Sequence, residues 1–187
     1  MLLIIALLYP ETESSFRWSK SFALFLFAAL TDWLDGWLAR KFGQVSDFGK
    51  FMDALADKVL TLGMFTSLLA LGALPIWALF PILLILSREL LITGLRLVAA
   101  GKGKTLEAEK IGKLKTVIQL TCISLSLAKL SVESDFTFIM SQDSLELTLR
   151  ILDLSTASTL ILATLITVLS GVVYLTKYWR FFLDEEK

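Results

Sequence analysis

The chain has 187 residues, 56% of them hydrophobic, and its 18 Lys and Arg balance 18 Asp and Glu. Its mean hydropathy of +0.72 is too high for an ordinary soluble domain, so we expect a lipid bilayer around it and no nucleic acid as a partner. The lack of histidine excludes zinc ligation by imidazole and a histidine base, and the single cysteine, Cys122, excludes an internal disulfide. We interpret Cys122 as a small core residue.

Six hydrophobic segments predict an all-α integral membrane protein, with six transmembrane helices in a single domain of residues 1–187. In chain order the segments are Met1–Tyr9, Phe22–Arg40, Lys50–Leu71, Pro75–Ala100, Lys113–Leu130 and Ile151–Tyr178. At 1.5 Å per residue the first segment is about half as long as a bilayer requires. We interpret it as the end of a truncated first helix.

The segments between the helices predict alternating outer and cytoplasmic connections. Pro10–Lys20 is a polar outer loop, Lys41–Gly49 a short cytoplasmic turn, and Gly72–Leu74 a tight outer turn before the helix-starting Pro75. Pro81 is expected to kink the fourth helix. Ser131–Arg150 is predicted to be an outer loop with room for a short amphipathic helix.

The basic residues are unevenly divided between the two predicted sides of the membrane. Four of the 18 Lys and Arg fall on one side, namely Arg17, Lys20, Lys129 and Arg150, and the other fourteen fall at or near the opposite side. The positive-inside rule assigns the richer side to the cytoplasm. We therefore expect a protein of the cell inner membrane, or of an organellar inner membrane, with its active site facing the cytoplasm.

The second and third segments carry four aspartates in otherwise apolar sequence, in the pattern D-x-x-D-G-x-x-A-R followed by G-x-x-x-D-x-x-x-D. The residues of this pattern are Asp32, Asp35, Gly36, Ala39, Arg40, Gly49, Asp53 and Asp57. At about 100° per residue, the acidic and small residues of each half fall within an arc of roughly 80–100° on their helix. Two carboxylate pairs on adjacent helices are thus able to converge on one polar centre.

Such a cluster of acids requires a physical reason. Each charged residue at mid-bilayer costs about 2.5–3.5 kcal/mol, and neighbouring carboxylates resist joint ionisation unless a divalent cation lies between them. Oxygen ligands suit Mg²⁺, Mn²⁺ or Ca²⁺. Two alternatives stay open: an ion-pair network with Arg40 and Lys58, and a set of titratable proton carriers.

Residues Asp32–Asp57 resemble, at every fixed position, the signature of the CDP-alcohol phosphotransferase family. The resemblance implies a six-helix membrane fold, usually dimeric, with a polar cavity open to the cytoplasm. It also implies a reaction in which an alcohol displaces CMP from a CDP-linked donor with the help of one or two Mg²⁺ or Mn²⁺ ions. Family members usually begin with a helix carrying Asn-x-x-Thr-x-x-Arg, which helps to hold the donor, and Met1–Tyr9 corresponds only to the tail of that helix.

The resemblance also implies roles for the residues of the pattern. Asp32, Asp35 and Asp53 would hold the metal, and Asp57 would be the general base, a further metal ligand or both. Gly36, Ala39, Arg40 and Gly49 would form the CDP-binding surface, with Arg40 as a positioning ion pair. For the small residues, close packing between helices is the open alternative.

The second half of the chain bears on the acceptor. SRELLITGLRLVAA and KIGKLKTVIQ resemble the branch of the family that uses CDP-diacylglycerol and glycerol 3-phosphate. Arg88 and Arg96 lie about 80° apart on the helical wheel, and with Lys115 they predict a clamp for the acceptor's phosphate. Anchoring to anionic lipid headgroups is the alternative, although it fits Lys102 and Lys104 better.

Two other functions remain to be weighed. A sibling enzyme would use inositol phosphate, serine or phosphatidylglycerol as the acceptor. A divalent-cation transporter would need polar residues across the outer halves of the helices. The outer half of the third segment, TLGMFTSLLALG, offers only hydroxyls, which argues against a transporter.

Overall fold

The computed structural model describes residues 16–42, 47–101 and 110–183, and every regular element in these ranges is helical. There are five α-helices here and one short 3₁₀ helix, Ile76–Ala78. The α-helices are α1 (Arg17–Phe42), α2 (Asp47–Ala70), α3 (Leu79–Gly101), α4 (Lys110–Asp135) and α5 (Gln142–Leu183). The predicted all-α fold is confirmed, and the segment Met1–Tyr9 lies outside the described residues.

Three helices of the described ranges are long and apolar enough to cross a membrane: Ile76–Gly101, Leu114–Asp135 and Gln142–Tyr178. The apolar part of α2, Lys58–Ala70, is shorter than a bilayer requires. The protein is therefore an integral membrane protein, and the number of six spans stays a prediction.

The five helices share one core. Helix α4 packs against both α1 and α5, while α3 packs against α5, and α2 contacts α3 and α4. Each helix contributes a fully or almost fully buried apolar side chain to one cluster: Phe25, Phe65, Ile85, Ile123 and Leu160. Because lipid is as apolar as these side chains, their close contact stabilises the bundle mainly through dispersion. Cys122 belongs to the same cluster, as predicted.

The prediction of an outer loop at Ser131–Arg150 is wrong. Helix α4 continues to Asp135 and α5 already begins at Gln142, so only Phe136–Ser141 connects them. The reason is a polar junction with the start of α1. The Asp135 carboxylate accepts hydrogen bonds from the backbone N–H of Ser19 at 2.8 Å and from its hydroxyl at 2.7 Å. The polar end of α4 therefore has hydrogen-bond partners within the protein, and it remains helical.

Helix α5 is longer than predicted. Its 42 residues extend about 63 Å at 1.5 Å per residue, roughly twice the thickness of the hydrocarbon core. The predicted short amphipathic helix is the beginning of this long helix.

The other predicted connections are partly corrected. Helix α1 includes residues up to Phe42 and α2 begins at Asp47, so both ends of the turn predicted at Lys41–Gly49 are helical, and its middle lies outside the described residues. Likewise, α1 begins at Arg17, inside the predicted loop Pro10–Lys20.

The turn predicted at Gly72–Leu74 is confirmed. Gly72 has a φ of +70°, and the backbone N–H of Ala73 donates to the carbonyl of Leu68 at 3.0 Å, which is typical of a glycine that ends a helix. Pro75 precedes the 3₁₀ helix. Pro81 lies in the first turn of α3, where proline removes no essential hydrogen bond. Pro81 therefore lies at the start of α3 and not in the helix interior, where the kink was expected.

Candidate active site

The aspartate pattern lies on two consecutive helices, as predicted. Helix α1 carries the first half and α2 the second half. Because both segments are helical, the three- and four-residue spacings place the members of each half on one helix face. The eight residues concerned are Asp32, Asp35, Gly36, Ala39 and Arg40 on α1, and Gly49, Asp53 and Asp57 on α2.

Among the side chains of this pattern, the structure describes that of Asp35, which is exposed. The side chains of the other seven residues lie outside its described part. The described side chains contain no group of three His, Cys, Asp or Glu that is able to hold a metal ion, but that set lacks Asp32, Asp53 and Asp57. The convergence of the four carboxylates therefore stays a prediction.

A narrow cleft, with room for only about 10 Å³, is lined by Lys58, the residue that follows Asp57 in the chain. It lies between α2, α3 and α4, and polar side chains from all three helices line it. The lining residues are Lys58, Thr61, Leu62, Ile85, Glu89, Lys115 and Gln119. The cleft thus connects the helix of the second aspartate pair with the helices that carry the predicted clamp.

A buried carboxylate joins two members of that clamp. Glu89 Oε1 contacts Lys115 Nζ and lies 3.3 Å from Arg88 Nη1. The three side chains are only 9–13% exposed, so removal of the carboxylate would leave two basic groups without this partner in a site of low dielectric constant. Arg88 and Lys115 thus contact the same carboxylate, and their role as a clamp for the acceptor's phosphate stays a prediction.

Arg96 is held separately. It lies two turns beyond Arg88 on α3, about 12 Å along the helix axis. Its Nε donates to the hydroxyl of Tyr174 on α5 at 3.4 Å, and its guanidinium carbon lies 5.5 Å from the centroid of that ring. Glu89 and Tyr174 are not predictable as partners of these cations, because neither pairing is visible from spacing along the chain.

A larger cavity, of about 400 Å³, lies at the opposite, predicted outer end. Trp77 and the Lys129–Asp153 ion pair, with a separation of 2.6 Å, contribute to its lining. Of the predicted site residues whose side chains the structure describes, none lines this cavity. The cleft lined by Lys58, Glu89 and Lys115 is therefore the candidate active site.

Comparison with known proteins gives one family. The sequence model of the family described as CDP-alcohol phosphatidyltransferase matches residues 1–176, which confirms the resemblance identified from Asp32–Asp57. Among curated proteins, the chain is 38% identical over 158 residues to the CDP-diacylglycerol–glycerol-3-phosphate 3-phosphatidyltransferase of Bacillus subtilis (strain 168), covering 84% of this chain and 72% of that protein.

Two further relatives are similar. The chain is 40% identical over 128 residues to a probable phosphatidylglycerophosphate synthase of Mycobacterium tuberculosis (strain H37Rv), covering 68% of this chain and 59% of that protein. It is 33% identical over 189 residues to the CDP-diacylglycerol–glycerol-3-phosphate 3-phosphatidyltransferase 1, chloroplastic/mitochondrial, of Arabidopsis thaliana, covering 95% of this chain and 58% of that protein. The chain thus spans between 58% and 72% of the length of these relatives.

Proposed function

The chain belongs to the CDP-alcohol phosphatidyltransferase family, and we propose that it transfers the phosphatidyl group of CDP-diacylglycerol to a hydroxyl of glycerol 3-phosphate, with release of CMP. This is the activity for which its relative in Bacillus subtilis is named. Members of this family are enzymes, so the alternative of a cation transporter is not retained.

The observation that supports the proposal is the polar cleft lined by Lys58, Glu89 and Lys115. Lys58 directly follows Asp57 and lines the same cleft as Lys115, and Arg88 adjoins it through Glu89. Basic side chains of α2 and α4 therefore line one cleft, and Arg88 of α3 contacts the Glu89 carboxylate in its wall. Arg and Lys together suit a phosphate monoester, and glycerol 3-phosphate has one whereas serine has none.

The donor set of the pattern fits a hard divalent cation. The family is generally dependent on divalent metal, and the acidic residues of the pattern offer carboxylate oxygens only, on helical backbone at ligand spacing. Asp32, Asp35, Asp53 and Asp57 would hold one or two Mg²⁺ or Mn²⁺ ions. When bound, the metal would neutralise the negative charge of the donor pyrophosphate.

The protein residues would bind the nucleotide and accept the proton of the attacking hydroxyl. Gly36, Ala39 and Gly49 lack bulk, so the nucleotide is able to lie against the helix backbone, and Arg40 positions it by charge. Asp57 takes the proton of the attacking hydroxyl. The hydroxyl oxygen forms a bond to the β-phosphorus of CDP-diacylglycerol while the bond from that phosphorus to the CMP oxygen breaks, and CMP leaves.

The membrane location and the orientation of the protein are inferred from the charge distribution and from the family. We infer a single domain over residues 1–187 in the cell inner membrane or an organellar inner membrane. Its site faces the cytoplasm, since fourteen of the 18 basic residues fall on that predicted side. A homodimer is proposed from the family resemblance.

The test is an acceptor comparison. The purified protein in detergent is incubated with CDP-diacylglycerol, Mg²⁺ and one acceptor at a time, and CMP release is measured. We expect release with glycerol 3-phosphate and none with inositol phosphate, serine or phosphatidylglycerol. Release with one of these three but not with glycerol 3-phosphate would contradict the proposal.

A further inference from the structure

One face of α5 contacts polar side chains from two other helices. Thr167, Gly171 and Tyr174 are four and three residues apart, so they lie above one another on the same face, and all three are buried. Thr167 accepts a hydrogen bond from the Gln119 side chain of α4 at 3.3 Å. The other two residues of this face contact the two arginines of α3.

Gly171 lies against the aliphatic part of Arg88. A Cβ atom at position 171 would be 2.9 Å from Arg88 Cγ, closer than carbon atoms normally approach. The missing side chain lets the arginine pass directly over the helix backbone. From there its guanidinium reaches Glu89 at 3.3 Å. A methyl group at this position would push the arginine away from the carboxylate and the cleft.

Tyr174 is 1% exposed, and a buried tyrosine hydroxyl normally has a hydrogen-bond partner. Here the partner is Arg96 Nε, at 3.4 Å, and the guanidinium carbon is within cation–π distance of the ring, at 5.5 Å. This contact uses the Nε–H of the arginine. The Nη–H donors of Arg96 are not used in this contact, and their geometry matches the oxygens of a phosphate group.

We infer that Gly171 and Tyr174 are positioning residues of the acceptor site, which act through Arg88 and Arg96. The inference rests on the proposed function, because it names how the phosphate of that acceptor is recognised. The family signature lies on α1 and α2, whereas these two residues lie on the last helix. The two arginines of α3 therefore pack against one face of α5.

The first test is Tyr174→Phe, which removes the hydroxyl and keeps the ring. Loss of one hydrogen bond predicts a rise in KM for glycerol 3-phosphate of about threefold to tenfold. We expect an unchanged kcat and an unchanged KM for CDP-diacylglycerol, since only acceptor binding is weakened. Tyr178→Phe is the matched control, because its ring lies 4.7 Å from that of Tyr174, and it should leave all three constants unchanged.

The second test is Gly171→Ala, which should also raise KM for the acceptor several-fold without changing KM for the donor. Gly94→Ala is the matched control, because it lies on α3 with no heavy atom within 4 Å of its added Cβ. A double-mutant cycle then asks whether Tyr174 acts through Arg96. In an Arg96→Ala background, Tyr174→Phe should give no further rise in acceptor KM.

The inference is tested with the variants, whereas the proposed function is tested with the wild-type protein. Unchanged acceptor KM in both variants, equal changes in donor and acceptor constants, or additive effects in the cycle would overturn the inference. Failure of the proposed function would show in the wild-type protein, as no CMP release with glycerol 3-phosphate. If the wild type used another phosphorylated acceptor, the same variants would be measured with it. If it used only an unphosphorylated acceptor, both would be refuted.

Discussion

Replacement of Glu89 by glutamine is expected to lower stability strongly, because this carboxylate lies between two basic side chains. Glu89→Gln preserves the shape of the side chain and one acceptor oxygen but removes the charge that Lys115 and Arg88 contact. All three side chains are nearly buried, at 9–13% exposure. Breaking a buried ion pair by removing one partner costs about 3–5 kcal/mol, and we expect about 3 kcal/mol because the amide oxygen still accepts a hydrogen bond.

The measurement is thermal unfolding of the purified protein in detergent, followed by tryptophan fluorescence. For a chain of this size, about 3 kcal/mol corresponds to a Tm lower by about 6–12 °C. Glycerol 3-phosphate is expected to raise the Tm of the variant more than that of the wild type, because its phosphate supplies the missing negative charge.

Glu146→Gln is the matched control. Glu146 forms an ion pair of 2.7 Å with Arg150, but the two side chains are 67% and 78% exposed. Exposed pairs of this spacing are worth only about 0.3–0.5 kcal/mol, so its Tm should change by less than about 2 °C. Equal Tm values for the two variants would refute the interpretation of Glu89 as a buried counter-ion.

Three further substitutions test other parts of the structure. Asp53→Asn is expected to abolish CMP release at every Mg²⁺ concentration, since an amide is a poor metal ligand in this setting; substantial activity would contradict its role as a ligand. Asp135→Ala should destabilise the protein by about 1–3 kcal/mol, because the backbone N–H of Ser19 loses its acceptor and the Ser19 hydroxyl keeps only Ser131 as a partner. Glu133→Ala, exposed on the same helix, should leave the Tm almost unchanged, and equal losses would argue against the junction. Gly72→Ala should cost about 1–2 kcal/mol at its φ of +70°, whereas Gly94→Ala in open space should not lower the Tm.

What the sequence predicted well depends on short-range periodicity. The helices that carry Asp32 and Asp53 follow from the long apolar segments around them, and the three- and four-residue spacing of the aspartates fits the helical repeat. The turn at Gly72 follows from local chemistry as well, since glycine readily adopts positive φ. Both features are determined by residues within one or two helical turns of each other.

What the sequence did not predict depends on contacts between distant residues. The junction of Ser19 with Asp135 joins residues 116 positions apart, and without it the polar end of α4 resembles a loop. The partner of Arg96 lies 78 positions away, and Glu89 is 26 positions from Lys115. The composition of a segment shows that a basic side chain needs a partner, but the packing of the helices decides which residue it is.

Helix α5 runs without interruption from the Asp153 ion pair at one end of the bundle to Tyr174 at the other. The helical repeat of α5 therefore fixes the orientation of Asp153 and Tyr174 relative to each other. One residue inserted between them would rotate everything downstream by about 100°, and no loop exists along that stretch to absorb the error. An insertion or deletion between Asp153 and Tyr174 is therefore expected to disturb the contacts at one end of the helix, whereas a substitution leaves the relative orientation of the two ends unchanged.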